Sequence, residues 1–143
     1  MNTFRVLLVE SDVEEQRAIL MRLVESTPSG VKCKVDLSLS LHQTIHLLHG
    51  YSEDRLPHMI IARHTREDPL RGNTEVTCCL GLHDTDLEEV IRKLRLNIPI
   101  YETANAPPGK EARYQALIHV YLRRLGDVFP QTGYRGQQRD PLL

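Results

Sequence analysis

Val6-Leu7-Leu8-Val9-Glu10-Ser11-Asp12 decides the fold. Four apolar residues, β-branched at both ends, run without a polar break and stop at an acidic cluster. A strand with one face in water alternates apolar and polar residues, whereas a strand covered on both faces does not. The run therefore reads as a strand buried inside a sheet. Ser11 or Asp12 can cap a helix beginning at Val13, and Glu14 and Glu15 sit where a helix dipole favours acids. Val13, Ala18, Ile19, Met21, Leu23 and Val24 recur at helical spacing to about Glu25. Thr27-Pro28-Ser29-Gly30 ends this helix.

Further along, Val31-Lys32-Cys33-Lys34-Val35-Asp36-Leu37 alternates and reads as a half-buried edge strand. Ser38 or Ser40 opens a second helix through Leu41, Ile45, Leu47 and Leu48, closed by Gly50. After Pro57, Met59-Ile60-Ile61-Ala62 is a second fully apolar run and a second central strand. Residues 64–83 keep no period; they hold Pro69, Gly72, Asn73 and Gly81 and read as a long irregular insertion, a kind of loop that is usually functional. Asp84-Thr85-Asp86 caps a helix with Leu87, Val90, Ile91 and Leu94 inward, and Asn97 stops it. Ile98-Pro99-Ile100-Tyr101 is a strand with its proline near the start, where a missing N–H is tolerated.

Glu111 to Leu125 admits two readings. It is one amphipathic helix, or a short helix to about Gln115 leading into a fifth strand, Leu117-Ile118-His119-Val120-Tyr121-Leu122. The β-branched and aromatic content favours the strand. Strands alternating with helices imply an α/β fold, here a parallel five-stranded sheet with helices on both faces. The domain is expected over residues 1–128, with residues 129–143 a disordered polar tail.

At 143 residues the chain makes one layered core. Its net charge of −1 provides no global field toward nucleic acid or an anionic membrane. No apolar stretch approaches the roughly 18–20 residues of a membrane span, and Met1-Asn2-Thr3-Phe4-Arg5 lacks the features of a signal peptide. Three cysteines, Cys33, Cys78 and Cys79, form a poor disulfide framework and fit a reduced cytoplasmic compartment.

The order apolar run, acidic cluster, helix over Val6–Asp12 resembles the start of bacterial response-regulator receiver domains. The resemblance spans residues 4–125 and implies a flavodoxin-like, doubly wound sheet. In that family, acidic residues after the first strand hold a divalent metal. An aspartate ending the third strand is phosphorylated, a Thr or Ser ends the fourth, and a Lys ends the fifth. Carboxylates and metal hold the phosphoryl group, while hydroxyl and ammonium sense it. On this chain Glu10 takes the first acidic position, and Ser11 the second, with Asp12 beside it. Arg63 takes the acceptor position. A guanidinium cannot accept a phosphoryl group, but it can pair with Glu10 or Asp12 in place of a metal. Thr103 falls near the switch hydroxyl, one residue short of the family spacing, and Ala104 is the other match. No Lys-Pro follows a fifth strand; Lys110 precedes it. The resemblance thus implies a pseudo-receiver, non-catalytic and without a cofactor, that binds a protein partner or itself. In the family, helix four, strand five and helix five dock partners. Here that face implies Tyr101, Asn105, Lys110, Val120, Tyr121 and Leu122.

A second resemblance is carried by Val9-Glu10-Ser11, by Arg95 to Tyr101 with Ala104-Asn105, and by Tyr134-Arg135 to Pro141-Leu142. These stretches look like the N-terminal wing domain of bacterial ornithine/lysine/arginine decarboxylases. That domain is also flavodoxin-like and assembles oligomers beside a pyridoxal-phosphate domain. It implies a structural and oligomerisation role.

Other clusters have ordinary readings beside sharper ones. His42, His46 and His49 share a helix at i, i+4 and i+7, as zinc ligands or as solvated histidines. Cys78-Cys79 with His83 supplies ligand types, but adjacent cysteines chelate one ion poorly. Arg92, Lys93 and Arg95, and Arg123-Arg124, are either a docking face or dipole-matched solvated charge. No nucleophile elbow, P-loop, CxxC or dinucleotide fingerprint is present, so no enzyme is expected.

Overall fold

A computed structural model describes residues 2–66 and 86–132. Within these residues four strands form one parallel sheet: β1 (Asn2–Val9), β2 (Val31–Ser38), β3 (Met59–Ala62) and β4 (Ile100–Glu102), in the order β2-β1-β3-β4. The two unbroken apolar runs are the two inner strands, and the alternating segment is an edge, each where its pattern of burial requires. β1 pairs β2 from Asn2↔Val31 to Val9↔Ser38, and β3 from Val6↔Met59 to Val9↔Ala62.

Among the described residues four helices cover the sheet: α1 (Val13–Ser26), α2 (Leu41–Gly50), α3 (Leu87–Lys93) and α4 (Lys110–Val128). On one face Phe4, Val6, Leu8, Met59 and Ile61 meet Ile19 and Leu23 of α1 and Tyr114, Leu117, Tyr121 and Leu125 of α4. On the other face Leu7, Val9, Ile60 and Ala62 meet Leu41 and Leu48 of α2 and Leu87 and Ile91 of α3.

α1, α2 and α3 start where a side chain can cap them. Asp12 accepts the N–H of Glu14 at 3.0 Å, and Asp86 accepts those of Glu88 and Glu89. Ser40 accepts the N–H of Gln43 at 3.0 Å, while Gln43 Oε1 reaches back to the N–H of Leu39 at 2.7 Å. Such caps satisfy amides that no helical carbonyl reaches. α3 ends in a Schellman motif: Leu96 N–H donates to Ile91 C=O and Arg95 N–H to Arg92 C=O, both at 3.0 Å. Arg95 therefore stands at φ 57°, a left-handed position usually given to glycine, and it stops α3 before Asn97 does.

Two expectations are corrected. The segment expected as a fifth strand is the middle of α4, and the described residues form four strands. Strand propensity is overridden because Tyr114, Leu117, Tyr121 and Leu125, spaced three and four apart, make one helical stripe against β1 and β3. Residues 129–132 also belong to the folded unit. Phe129 sets its ring edge against Phe4 and His58, with centroids 6.3 and 5.9 Å apart, and a 3-10 turn follows at Pro130–Thr132. Most of the 64–83 insertion, with Cys78, Cys79 and His83, lies outside the described residues, as does the rest of the tail.

Candidate functional site

The sheet changes direction between β1 and β3. β2 follows β1 to one side, and β3 returns on the other. In open α/β sheets such a switch point leaves a crevice at the carboxyl ends of the strands. Glu10 and Arg63 are the residues that leave β1 and β3 there.

The two pair. Arg63 Nη2 lies 2.9 Å from Glu10 Oε2, with the Glu10 side chain 3% exposed and that of Arg63 48% exposed. The same oxygen accepts the N–H of Asp12 at 3.0 Å. Glu10's backbone is held as firmly: its N–H donates to Ser38 C=O at 2.9 Å, and its C=O accepts from Gln16 Nε2 at 2.5 Å. A buried carboxylate is costly unless paired and hydrogen-bonded, and here it has a guanidinium and an amide. Of the two acids offered to Arg63, Glu10 is the one it holds. Asp12 spends its carboxylate on the α1 cap and is exposed, as is Ser11.

Beyond Arg63 the crevice opens into a cavity of about 500 Å³ lined by Arg63, His64, Thr103, Lys110, Arg113 and Glu15, with backbone from the 103–109 turn. Next to it, Glu102 at the end of β4 accepts the N–H of Thr65 at 3.0 Å and a hydrogen bond from Asn105 Nδ2 at 2.9 Å. Ala104 N–H donates to Arg63 C=O at 3.0 Å, tying the end of β4 to that of β3. Gly109, at φ 97°, turns the chain into α4 with no side chain capping the helix. Cations outnumber acids around this cavity, so it suits an anionic group better than a metal ion. Among the described residues no three His, Cys, Asp or Glu side chains converge to hold a metal. His42 and His46 have ring centroids 6.4 Å apart.

The residues expected as a docking face divide. Tyr101 and Val120 line a groove of about 430 Å³ along β4, with Met59, Ile98, Ile100 and Arg123. Lys110 belongs instead to the strand-end cavity. Asn105 is exposed beside it, and Leu122 packs partly against the core. Tyr121 is corrected: it is 0% exposed, its ring is edge-on to Phe4, and its hydroxyl lies 2.6 Å from Thr27 Oγ1. Burial and the neighbouring Cys33 raise its pKa. Reading 117–122 as a strand misplaced this residue.

Gln16, Glu102, His64 and Arg113 are components that sequence reasoning missed. Gln16 alone left a signal, an uncharged residue in an acidic first turn. The other three are united by the tertiary approach of β3, β4 and α4.

Comparison with protein-family models, with curated proteins and with solved structures returns no match. Among the described residues no helix is long and apolar enough to cross a membrane.

Proposed function

We propose that the chain is a non-catalytic, receiver-like module of flavodoxin-like type that acts by binding a protein partner and not by phosphorylation of an aspartate. The observation that carries this reading is the Glu10–Arg63 pair. A receiver needs free carboxylates for its metal and one more to accept the phosphoryl group. Here the buried acid is neutralised by a cation standing at the acceptor position. The strand order β2-β1-β3-β4 supports the scaffold half of the reading. The contact surface is assigned to the groove along β4, whose outer side has no strand neighbour among the described residues, and an extended segment of the partner would add to that edge.

Incubation with acetyl phosphate and Mg²⁺ followed by intact-mass measurement tests the chemistry. No gain in mass is expected, and a stoichiometric phosphoryl adduct would overturn the proposal. Arg123→Glu, exposed in the groove, tests the surface. It should abolish capture of the partner while leaving the thermal melt in place.

A further inference from the structure

The opposite edge of the sheet carries its own pattern. β2 is eight residues long, and among the described residues nothing pairs with its outer side. Glu10 N–H takes Ser38 C=O, and Asn2 N–H takes Gly30 C=O. Even-numbered carbonyls of this segment therefore point at β1. Because successive residues of a strand aim their polar groups to opposite sides, Cys33, Val35 and Leu37 present N–H and C=O outward.

Apolar surface gathers at the same edge. The exposed large hydrophobics among the described residues are Val13, Met21 and Val24 on α1, and Leu37 and Leu39 at the end of β2. Val13 and Val24 are 60% exposed. α1 is fastened to α4 on its other flank, where Arg22 bonds Glu111 at 3.0 and 3.1 Å and Glu15 accepts Tyr114 Oη at 2.9 Å. At 100° per residue, Val13 and Val24 lie about 160° round the helix from Glu15 and Arg22, and so face the open β2 side. Val31, Cys33, Val35 and Leu37 share that face of the sheet by alternation, and the first three pack on the α1–α4 core.

We infer that the occupant of this edge is a second copy of the chain, its β2 antiparallel to the first about a two-fold axis at Val35, so that two sheets become one of eight strands. Charge selects the register. With Val35 opposite its mate, Lys34 faces the partner's Asp36 twice, Lys32 faces Ser38, and Cys33 faces Leu37. A register centred one residue earlier sets Lys34 against Lys34, and one two residues earlier sets Lys32 against Lys34; like charges directly opposite oppose pairing. In the Val35 register the outward groups of Cys33, Val35 and Leu37 meet their counterparts. Each α1 crosses over between β1 and β2, so it comes within two strand spacings of its mate. That is roughly 10 Å, the distance at which helices pack, with Val13 and Val24 between them. This pairing does not rest on the proposed function and leaves the β4 groove and the strand-end cavity open.

Sedimentation velocity on the full chain and its variants tests it. Wild type should sediment as a dimer. Lys34→Glu opposes Glu to Asp36, and Asp36→Lys opposes Lys to Lys34, so each alone should weaken the dimer at least tenfold. Mixed in equal amounts, the two variants restore both opposite-charge pairs and should sediment as a heterodimer. Asp36 also accepts Tyr51 Oη at 2.6 Å, so its variant is checked by circular dichroism. Val35→Pro is the independent variant. Its lost N–H points outward, which an edge strand tolerates, and it should be a folded monomer. A wild-type monomer at hundreds of micromolar, or a dimer indifferent to both Lys34→Glu and Val35→Pro, would overturn the inference.

Discussion

The two faces of the sheet are both buried, but by different means. The face under α2 and α3 is aliphatic, with Leu7, Val9, Ile60, Leu48, Leu87 and Ile91 at its centre. The face under α1 and α4 holds most of the described aromatics: Phe4, Tyr101, Tyr114, Tyr121 and Phe129. Aromatics are only 5% of the chain, so this is concentration and not abundance. Their polar ends are also fixed, Tyr121 to Thr27 and Tyr114 to Glu15. Aliphatic contacts are directionless and interchangeable, whereas rings that prefer edge-on contact and hydroxyls that need partners fix one arrangement. The helix that closes the fold, α4, is seated by the second kind of contact.

Single changes can break this contrast. Tyr121→Ala empties a ring-sized space at the centre of the aromatic face and should cost about 3–5 kcal/mol in urea unfolding. Ile60→Val on the aliphatic face should cost only about 0.5–1.5 kcal/mol. Equal losses would show that the faces do not differ in tolerance.

The strand ends belong to neither face, and Arg63→Ala sharpens the comparison there. It leaves the buried Glu10 carboxylate with an amide alone, at a cost of about 1–3 kcal/mol. In a Glu10→Gln background the same change should be nearly neutral, which a double-mutant cycle reads directly.

The smallest effect is one of pH. His58 stacks on Phe4, with centroids 5.1 Å apart, and its Nδ1 accepts the N–H of Arg5 at 2.9 Å. Burial, with Arg124 and Arg5 nearby, lowers its pKa below the ordinary 6.5. The unfolded chain then binds this proton more readily than the folded one. The contribution is complete above pH 6.5 and is lost as pH falls through the depressed value. His58→Gln should flatten the acid limb of stability against pH in parallel denaturant melts.

Much of this architecture was legible because burial on two faces leaves an unmistakable mark. Val6–Val9 and Met59–Ala62 have no polar residue to offer water, and Val31–Leu37 alternates as an edge must. The 117–122 stretch was not legible in the same way. Ile118, Val120 and Tyr121 each favour strands locally, and the helical stripe through Tyr114, Leu117, Tyr121 and Leu125 prevails only because α1 and β1 receive it. Arg63 and Glu10 could be brought together from sequence because both stand one residue past inner strands. The cationic cavity could not, since Lys110 and Arg113 reach it only through the turn after β4.

The Schellman motif that closes α3 has a practical consequence. It asks for a residue without a β-carbon and contains Arg95, so the native sequence carries a correctable defect at a solvent-facing site. Arg95→Gly should relieve roughly 0.5–1 kcal/mol of backbone strain, net of the extra freedom glycine gains when unfolded. Differential scanning calorimetry would record this as a melting point higher by a few degrees, making the position a natural starting point for a more heat-resistant variant.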